Sequence, residues 1–255
     1  MHSNRVYKIS TMPRPRISSF IAFAALFAVC SISPSQKASA QSTDFTVSQH
    51  GKPVGTASFN FVPTTAGFDS TSIVRVSMQG LDYQLSKTEK LSPSHVLAHV
   101  QLSAIVNGSA VHVTAAPDSA QLLMNISANG RSSTTRLDIH NVAVFLPDFD
   151  PGALETLLAL AAANNNRDLW AILPKQSGSV DPVQLATYPD EKGTLDGKPV
   201  TVHHLVATIA GLDTHLFAGP ENQLLQAELP QEGFALLRNG FVLTPPAKPI
   251  APPSQ

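Results

Sequence analysis

Apolar and polar residues alternate along most of the chain after residue 41, a pattern typical of β-strands that bury one face. In STSIVRVSM, Val74 and Val76 fall on one face, while Ile73 and Arg75 fall on the other. The same period of two occurs in TDFTVSQ, GTASFNFVP, SAVHVTA, LLMNISA and VTVHHLVATI. These segments predict antiparallel strands with one apolar face and one mixed face.

Two-residue turn signals separate these segments. They are His50-Gly51, Asn107-Gly108, Asn129-Gly130 and Asp196-Gly197, with Asn239-Gly240 as a further candidate. Asn-Gly and Asp-Gly pairs tolerate positive φ at both central positions, as a type I′ hairpin requires. The spacing of the turns predicts about eleven or twelve short strands in a meander-like order.

The tetrapeptide GKPV follows two of these turns, at 51–54 and 197–200. Neither copy has the glycine spacing or the following helix of a phosphate-binding loop. The proline of each copy lacks a backbone donor at the point where a strand begins, which suits an edge position. We therefore interpret the repeat as two hairpin exits, with edge positions at Pro53 or Pro199.

One mid-chain segment changes to helical spacing. Asp150 is a good N-cap and Pro151 suits the first helical position. Leucine and alanine then recur at helical intervals until Asn164-Asn165-Asn166 ends the run. The segment predicts one central α-helix over about 151–164, and DLWAILP after it predicts a buried strand that carries Trp170.

These elements predict a mainly β fold, either a curved antiparallel sheet or a half-open β-barrel of about eleven or twelve strands. The single helix would cover one face or one mouth of the sheet. A half-open barrel with apolar residues facing inward would form a natural pocket. We expect one β-rich domain over 41–243, preceded by a leader at 1–40 and followed by a Pro-rich disordered tail at 244–255.

The first forty residues have the three parts of a secretory signal peptide. A basic start precedes the apolar run from Ile17 to Ile32, and Ala38-Ser39-Ala40 supplies a small-x-small cleavage site. Cys30, the only cysteine, lies inside that run, so a chain cleaved after Ala40 has no disulfide. The sequence predicts an exported protein, periplasmic or secreted, with no stable membrane span after cleavage.

The charge of the predicted mature chain argues against nucleic acid as a partner. Residues 41–255 hold 12 Lys and Arg against 18 Asp and Glu, a net charge of −6. Nucleic-acid-binding domains are instead usually basic on one face.

Histidines give the main candidates for metal chemistry. His203 and His204 point to opposite faces of a strand, so both cannot bind one ion without a bulge. Asp213 and His215 share a face on the next predicted strand, and a His203/Asp213/His215 site has ligands that suit zinc. The alternative, which the pattern favours, is a half-exposed strand with polar residues on its wet face.

Two other clusters could likewise form a functional site or have only a structural role. His95 and His99 would share a helix face, but the hairpin signal after them favours a strand, where they are too far apart for one ion. Asp148, Asp150 and Glu155 could serve acid–base chemistry or calcium, but helix capping accounts for Asp150. The sequence assigns no catalytic residue and no cofactor.

The arrangement of these features resembles a known family. Phe45 to Gly55 reads F-x-V-x-x-x-G-K-x-V-G, many short strands follow, and one helix comes after LPDFDP. With the predicted leader, this layout resembles the LolA/LolB-like periplasmic lipoprotein-carrier superfamily. The resemblance implies an incomplete β-barrel around a helical lid, with an apolar hollow that accepts acyl chains.

The sequence therefore leaves three hypotheses for the function. The first is a non-enzymatic exported binding protein for an apolar or lipid-like ligand in the cell envelope. The second is an envelope assembly or protein-interaction module that uses an open sheet edge and the Pro-rich tail. The third is a metal-dependent hydrolase built on His203, Asp213 and His215.

Overall fold

The computed structural model describes residues 42–175 and 178–245. The predicted signal peptide at 1–40 lies outside these ranges, as does the predicted tail beyond its first two residues.

The described residues form one α-helix and 17 strands. The helix α1 runs from Pro151 to Ala163. The strands are β1 (Thr43–Gln49), β2 (Lys52–Thr64), β3 (Gly67–Met78), β4 (Leu81–Leu91), β5 (Leu97–Val106), β6 (Ser109–Asp118), β7 (Gln121–Ala128), β8 (Arg131–Asp138), β9 (Ala143–Phe145), β10 (Trp170–Leu173), β11 (Ser179–Thr187), β12 (Glu191–Leu195), β13 (Lys198–Ile209), β14 (Leu212–Ala218), β15 (Leu224–Leu229), β16 (Phe234–Arg238) and β17 (Phe241–Leu243).

All strands join one large, open, curved sheet, so the predicted mainly β class with a single helix is confirmed. The long strands β1 to β8 form a meander in which each strand pairs with the next. The sheet continues from β1 through β16, β15, β14, β13, β11 and β10 to β9. Strand β12 pairs with the start of β13 and with β17.

The sheet is mixed, whereas the sequence predicts a purely antiparallel one. Strands β9 and β10 are parallel, and α1 lies between them in the chain. Parallel neighbours need a crossover connection, which is usually a helix. The helix is therefore the crossover of a β-α-β unit, and the antiparallel prediction is wrong at this one pair.

The structure has more strands than the eleven or twelve predicted from the turns. Strands β9 and β17 contain three residues each, and β10 contains four. Runs this short show no clear alternation, so sequence periodicity does not separate them from loops.

The predicted hairpin turns are confirmed at four positions. Both residues of the turns at 50–51, 107–108, 129–130 and 196–197 have φ between 47° and 80°. The turn at Ala210-Gly211 has the same positive φ values, 50° and 81°. At Asn239-Gly240 only the glycine has positive φ, so this pair is not a type I′ turn.

Both GKPV copies open a strand, as predicted. Pro53 pairs with Ser48, and Pro199 pairs with Thr194. In β2, pairing with β3 starts at Gly55, beyond Pro53. In β13, pairing with β14 starts at His203, beyond Pro199. Each proline therefore has one strand neighbour, where its missing N–H removes no ladder bond.

Helix α1 packs against strands β2, β3, β9 and β15 of the sheet. Nine of its thirteen residues are buried, so most of its surface packs in the core. Asp150 caps it, because Oδ1 accepts hydrogen bonds from the backbone N–H groups of Gly152 (2.9 Å) and Ala153 (3.2 Å). The predicted helix and its cap are confirmed.

Within 42–175 and 178–245, no helix has both the length and the apolar character needed to cross a membrane.

Candidate functional site

The structure does not assemble the proposed site of His203, Asp213 and His215. His203 lies opposite Ala218, at the far end of β14 from Asp213. The Nδ1 atom of His203 instead lies 2.9 Å from Oδ1 of Asp190, and both side chains are exposed. The strand pairing therefore places His203 in a surface contact away from the other two residues.

His204 is the histidine that meets His215. Its Nε2 lies 3.1 Å from Nδ1 of His215, and its Nδ1 lies 3.1 Å from Oε1 of Glu191. The ring stacks between Tyr188 and Phe217, with centroids 5.0 and 4.5 Å away. Burial lowers the pKa of His204, and the opposing effect of Glu191 does not restore it.

No three-ligand metal site accompanies this histidine pair. Across the described ranges, no group of three or more His, Cys, Asp or Glu side chains is arranged to hold an ion. Asp213 instead accepts a hydrogen bond from Oγ1 of Thr208 at 2.6 Å. The hydrolase hypothesis therefore has no assembled centre in this part of the chain.

The other predicted histidine pair is also separate. His95 occupies a turn with φ of 62°, and its ring stacks on Phe68 with centroids 4.6 Å apart. His99 lies in β5. The strand prediction is confirmed for His99 and wrong for His95, because the turn continues to the start of β5.

A cluster of buried charges lies beneath the start of α1. Lys87 Nζ is 2.9 Å from Oε2 of Glu89 and 2.7 Å from Oδ2 of Asp150. All three side chains are completely inaccessible to solvent. The contact with Oδ2 does not have hydrogen-bond angles, whereas Oδ1 of Asp150 accepts the two helix N–H groups. We refer to Lys87, Glu89 and Asp150 as the buried triad.

Strand alternation directs Lys87 and Glu89 inward. Tyr83, Leu85 and Leu91 are buried on the same face of β4. The inward position of Lys87 and Glu89 can be read from the sequence YQLSKTEKL, where every second residue from Tyr83 faces the core. Sequence reasoning missed these two residues because charged residues are usually assigned to the solvent-exposed face.

The neighbouring strand β3 adds unsatisfied polar atoms. Ser72 pairs with Lys87 and Ser70 pairs with Glu89 across the ladder. Both hydroxyls are buried, and no partner for them lies among the described residues. The helix approaches closely here, because a side chain at Gly152 would meet Oγ of Ser72 at 2.6 Å. The side chains of the triad are therefore shielded from solvent.

Burial and the neighbouring charges shift the pKa values of Lys87 and Glu89 in opposite directions. Burial lowers the pKa of Lys87, but Asp150 and Glu89 together raise it more, so the ammonium form is held. Burial raises the pKa of Glu89, and Lys87 only partly reverses this. Burial likewise raises the pKa of the adjacent Tyr83 phenol. In the resting cluster Lys87 is therefore the ammonium, and Glu89 is a carboxyl group that burial makes easier to protonate.

An apolar pocket opens beside the same helix end. Its volume is about 120 Å³. The larger apolar side chains that line it are Leu146, Phe149, Leu154, Leu173, Ile209, Leu212, Leu229 and Leu236. Nζ of Lys175 lies 2.8 Å from Oδ1 of Asp148 at its exposed rim, and Asp213 and Glu232 are also among the lining residues. Apolar walls with a few polar groups are typical of small-ligand sites.

Glu155 is the carboxylate of helix α1 itself, and it is partly buried. Its Oε2 accepts a hydrogen bond from the backbone N–H of Leu224 at 2.9 Å. Burial raises the pKa of Glu155 to about 7, against the opposing effects of that hydrogen bond and of Arg238. Of the three predicted acids, Asp150 is a buried cap, Asp148 is an exposed ion-pair partner and Glu155 anchors β15.

Comparisons of this chain with models of protein families, with curated proteins and with solved structures find no match.

Proposed function

We propose that this protein is a non-enzymatic exported binding protein for an apolar or lipid-like ligand in the cell envelope. The observation that carries the proposal is the apolar pocket between the start of α1 and the β13–β14 hairpin. Its walls favour an apolar group, and its charged rim would hold a polar end of the ligand in water. The predicted signal peptide supports the proposed location.

The size of the pocket narrows the ligand class. Sites for drug-sized ligands usually measure about 300–1,000 Å³, whereas this one measures about 120 Å³. It therefore suits one short apolar group, such as the end of a single chain, better than a complete acyl chain. Asp148, Asp213 and Glu232 outnumber Lys175 at the rim, which favours a neutral or cationic polar end.

The test uses Leu212, which lines the pocket yet is 48% exposed. Leu212→Asp should weaken binding of a single-chain amphiphile by roughly tenfold or more, because it removes an apolar contact worth about 1.5–3 kcal/mol when fully buried. Val242 is 62% exposed and outside this pocket, so Val242→Asp is the matched control.

Binding would be measured by fluorescence titration with a single-chain amphiphile and by native mass spectrometry of gently purified protein. The proposal predicts a selective loss in Leu212→Asp and normal binding in Val242→Asp. Absence of binding by the unmodified protein, or equal binding by all three, would contradict it.

A specific feature also favours the second candidate, an envelope interaction module. Among the described residues, β8 is in register with β7 and with no other strand, which leaves its second edge available. An extended segment of another protein could add to such an edge through backbone hydrogen bonds. A bound partner should slow amide hydrogen exchange in Arg131–Asp138, and unchanged exchange there would argue against this function.

A further inference from the structure

The buried triad contains the groups needed to join two side chains covalently. Lys87 supplies an amine, Asp150 supplies a carboxyl group in contact with it, and Glu89 also contacts the amine. Two backbone N–H groups hold the Oδ1 atom of Asp150. We propose that Lys87 and Asp150 condense spontaneously after folding, forming an intramolecular amide between Nζ and Cγ and releasing water.

The first requirement is a neutral amine beside a neutral carboxylic acid. The resting cluster holds Lys87 as the ammonium, so the ion pair must first be neutralised by an internal proton transfer, and burial favours that transfer. Solvation of isolated charges is lost in the interior, and their energy rises steeply when water is removed. Glu89 can carry a proton from Lys87 Nζ to Oδ2 of Asp150. This transfer converts the ammonium–carboxylate pair into an amine and an acid, and it leaves Glu89 ionised as before.

Contact geometry supplies the second requirement. Nζ lies 2.7 Å from Oδ2, so the amine is in contact with the carboxyl group that it must attack. Two packed elements, β4 and the cap of α1, fix the positions of both groups. Holding reactants in contact in this way replaces an encounter between separate molecules.

The helix N-terminus supplies the third requirement. When Nζ attacks Cγ, the new N–C bond places negative charge on Oδ1. The N–H groups of Gly152 and Ala153 point at that atom, at 2.9 and 3.2 Å. Preorganised backbone donors stabilise such an oxyanion in acyl transfer.

The remaining protons balance through Glu89. It removes one proton from the nitrogen of the tetrahedral intermediate and delivers it to the hydroxyl formed from Oδ2. The C–O bond then breaks, the carbonyl re-forms at Oδ1, and water leaves. The three protons of the ammonium end as one on the amide and two in the water, so no cofactor or oxidant is required.

The proposed bond has a structural role that suits this chain. It would tie the middle of β4 to the cap of α1, across the interface between the meander and the helix. The chain has one cysteine, which lies in the predicted leader, so disulfides are not available to the predicted mature protein. An amide is also insensitive to reduction.

The test is mass spectrometry of the full chain produced with its leader, exported and purified folded. Trypsin should leave 76–90 joined to 137–167, lighter by one water than the two separate peptides, with cleavage at Lys87 blocked. Fragmentation should place the link between Lys87 and Asp150. Peptide spectra are essential, because Gln41 at a new amino end could cyclise with loss of ammonia and change the intact mass.

Two variants define the reacting groups. Glu89→Gln keeps the shape of Glu89 but cannot relay protons, so it should fold and remain mainly unlinked. Asp148→Asn changes the neighbouring acid and should link fully. Circular dichroism would establish that both variants are folded.

Separate 76–87 and 137–167 peptides from the unmodified protein, after prolonged incubation at 37 °C, would overturn the proposal. A water loss at any other pair of residues would also overturn it. Full linkage in folded Glu89→Gln would also overturn the proposed mechanism, because both proton transfers are assigned to Glu89. None of these results depends on ligand binding, so the proposal and the proposed function are tested separately.

Discussion

The segment that leads into α1 carries two Lys–Asp contacts of nearly equal length in opposite surroundings. Lys87 and Asp150 are 2.7 Å apart and fully buried, whereas Lys175 and Asp148 are 2.8 Å apart, with side chains 58% and 44% exposed. The buried pair also has Glu89 on the amine and two N–H groups on the carboxylate. Distance alone therefore does not determine what an ion pair does. Desolvation and neighbouring groups separate a candidate reactive site from a surface contact.

The largest predicted difference is in stability. Lys87→Met should lower the free energy of unfolding by roughly 3–5 kcal/mol, because it leaves two carboxylates buried without a cation. Loss of the proposed bond would add to this effect, since a cross-link of this span contributes roughly 4 kcal/mol in the chain-entropy model. Lys175→Met should change the free energy of unfolding by about 1 kcal/mol or less, because exposed ion pairs contribute little to stability.

Urea denaturation of both variants would measure this difference. Equal stability of Lys87→Met and Lys175→Met would contradict the assignment of different roles to the two lysines.

The next effect concerns pH and uses Glu155, which is neither fully buried nor freely exposed. Its pKa rises from an ordinary value of 4.5 to about 7 in the folded protein, so between these values the folded state binds more protons than the unfolded state. Its stabilising contribution is complete below pH 4.5 and is lost as the pH rises through 7. The loss should be on the order of 3 kcal/mol.

Glu155→Gln is the matched control, because it keeps an oxygen that can accept the hydrogen bond from Leu224 but cannot titrate. Unfolding free energies of both proteins at pH 4 to 8 should diverge with rising pH, with the variant becoming relatively more stable. Parallel pH profiles would show that this carboxyl group titrates normally.

The smallest predicted effect is the coupling between Asp148 and Lys175. A double-mutant cycle with Asp148→Asn and Lys175→Met should give about 0.2–1 kcal/mol. High salt should reduce that value, because mobile ions screen exposed charges. A coupling of several kcal/mol, or one unaffected by salt, would mean that the exposed pair resembles the buried one.

Sequence patterns predict the framework of this fold well because the long strands bury one face. Alternation identifies the buried residues Val74 and Val76 correctly, and Asp150 and Pro151 mark the helix start. The patterns do not predict the parallel pair β9–β10, since strand direction depends on how a crossover packs. They also underestimate the strand number, because a three-residue strand has too few positions to show a period.

The candidate sites are less accessible to sequence reasoning. Asp150 is predicted as a cap, but nothing in its local sequence indicates that the cap packs on Lys87 of β4. For the histidines, sequence leaves the strand register open, and the register selects His204 rather than His203 as the partner of His215. Both cases depend on long-range pairing, which local patterns do not encode.

The most direct test of the difference between the two Lys–Asp pairs is the tryptic peptide spectrum of the unmodified folded protein. We predict 76–90 joined to 137–167 through Lys87 and Asp150, with Lys175 and Asp148 unlinked in the same sample. Unlinked peptides from both pairs would contradict the central claim that burial makes the Lys87–Asp150 contact reactive.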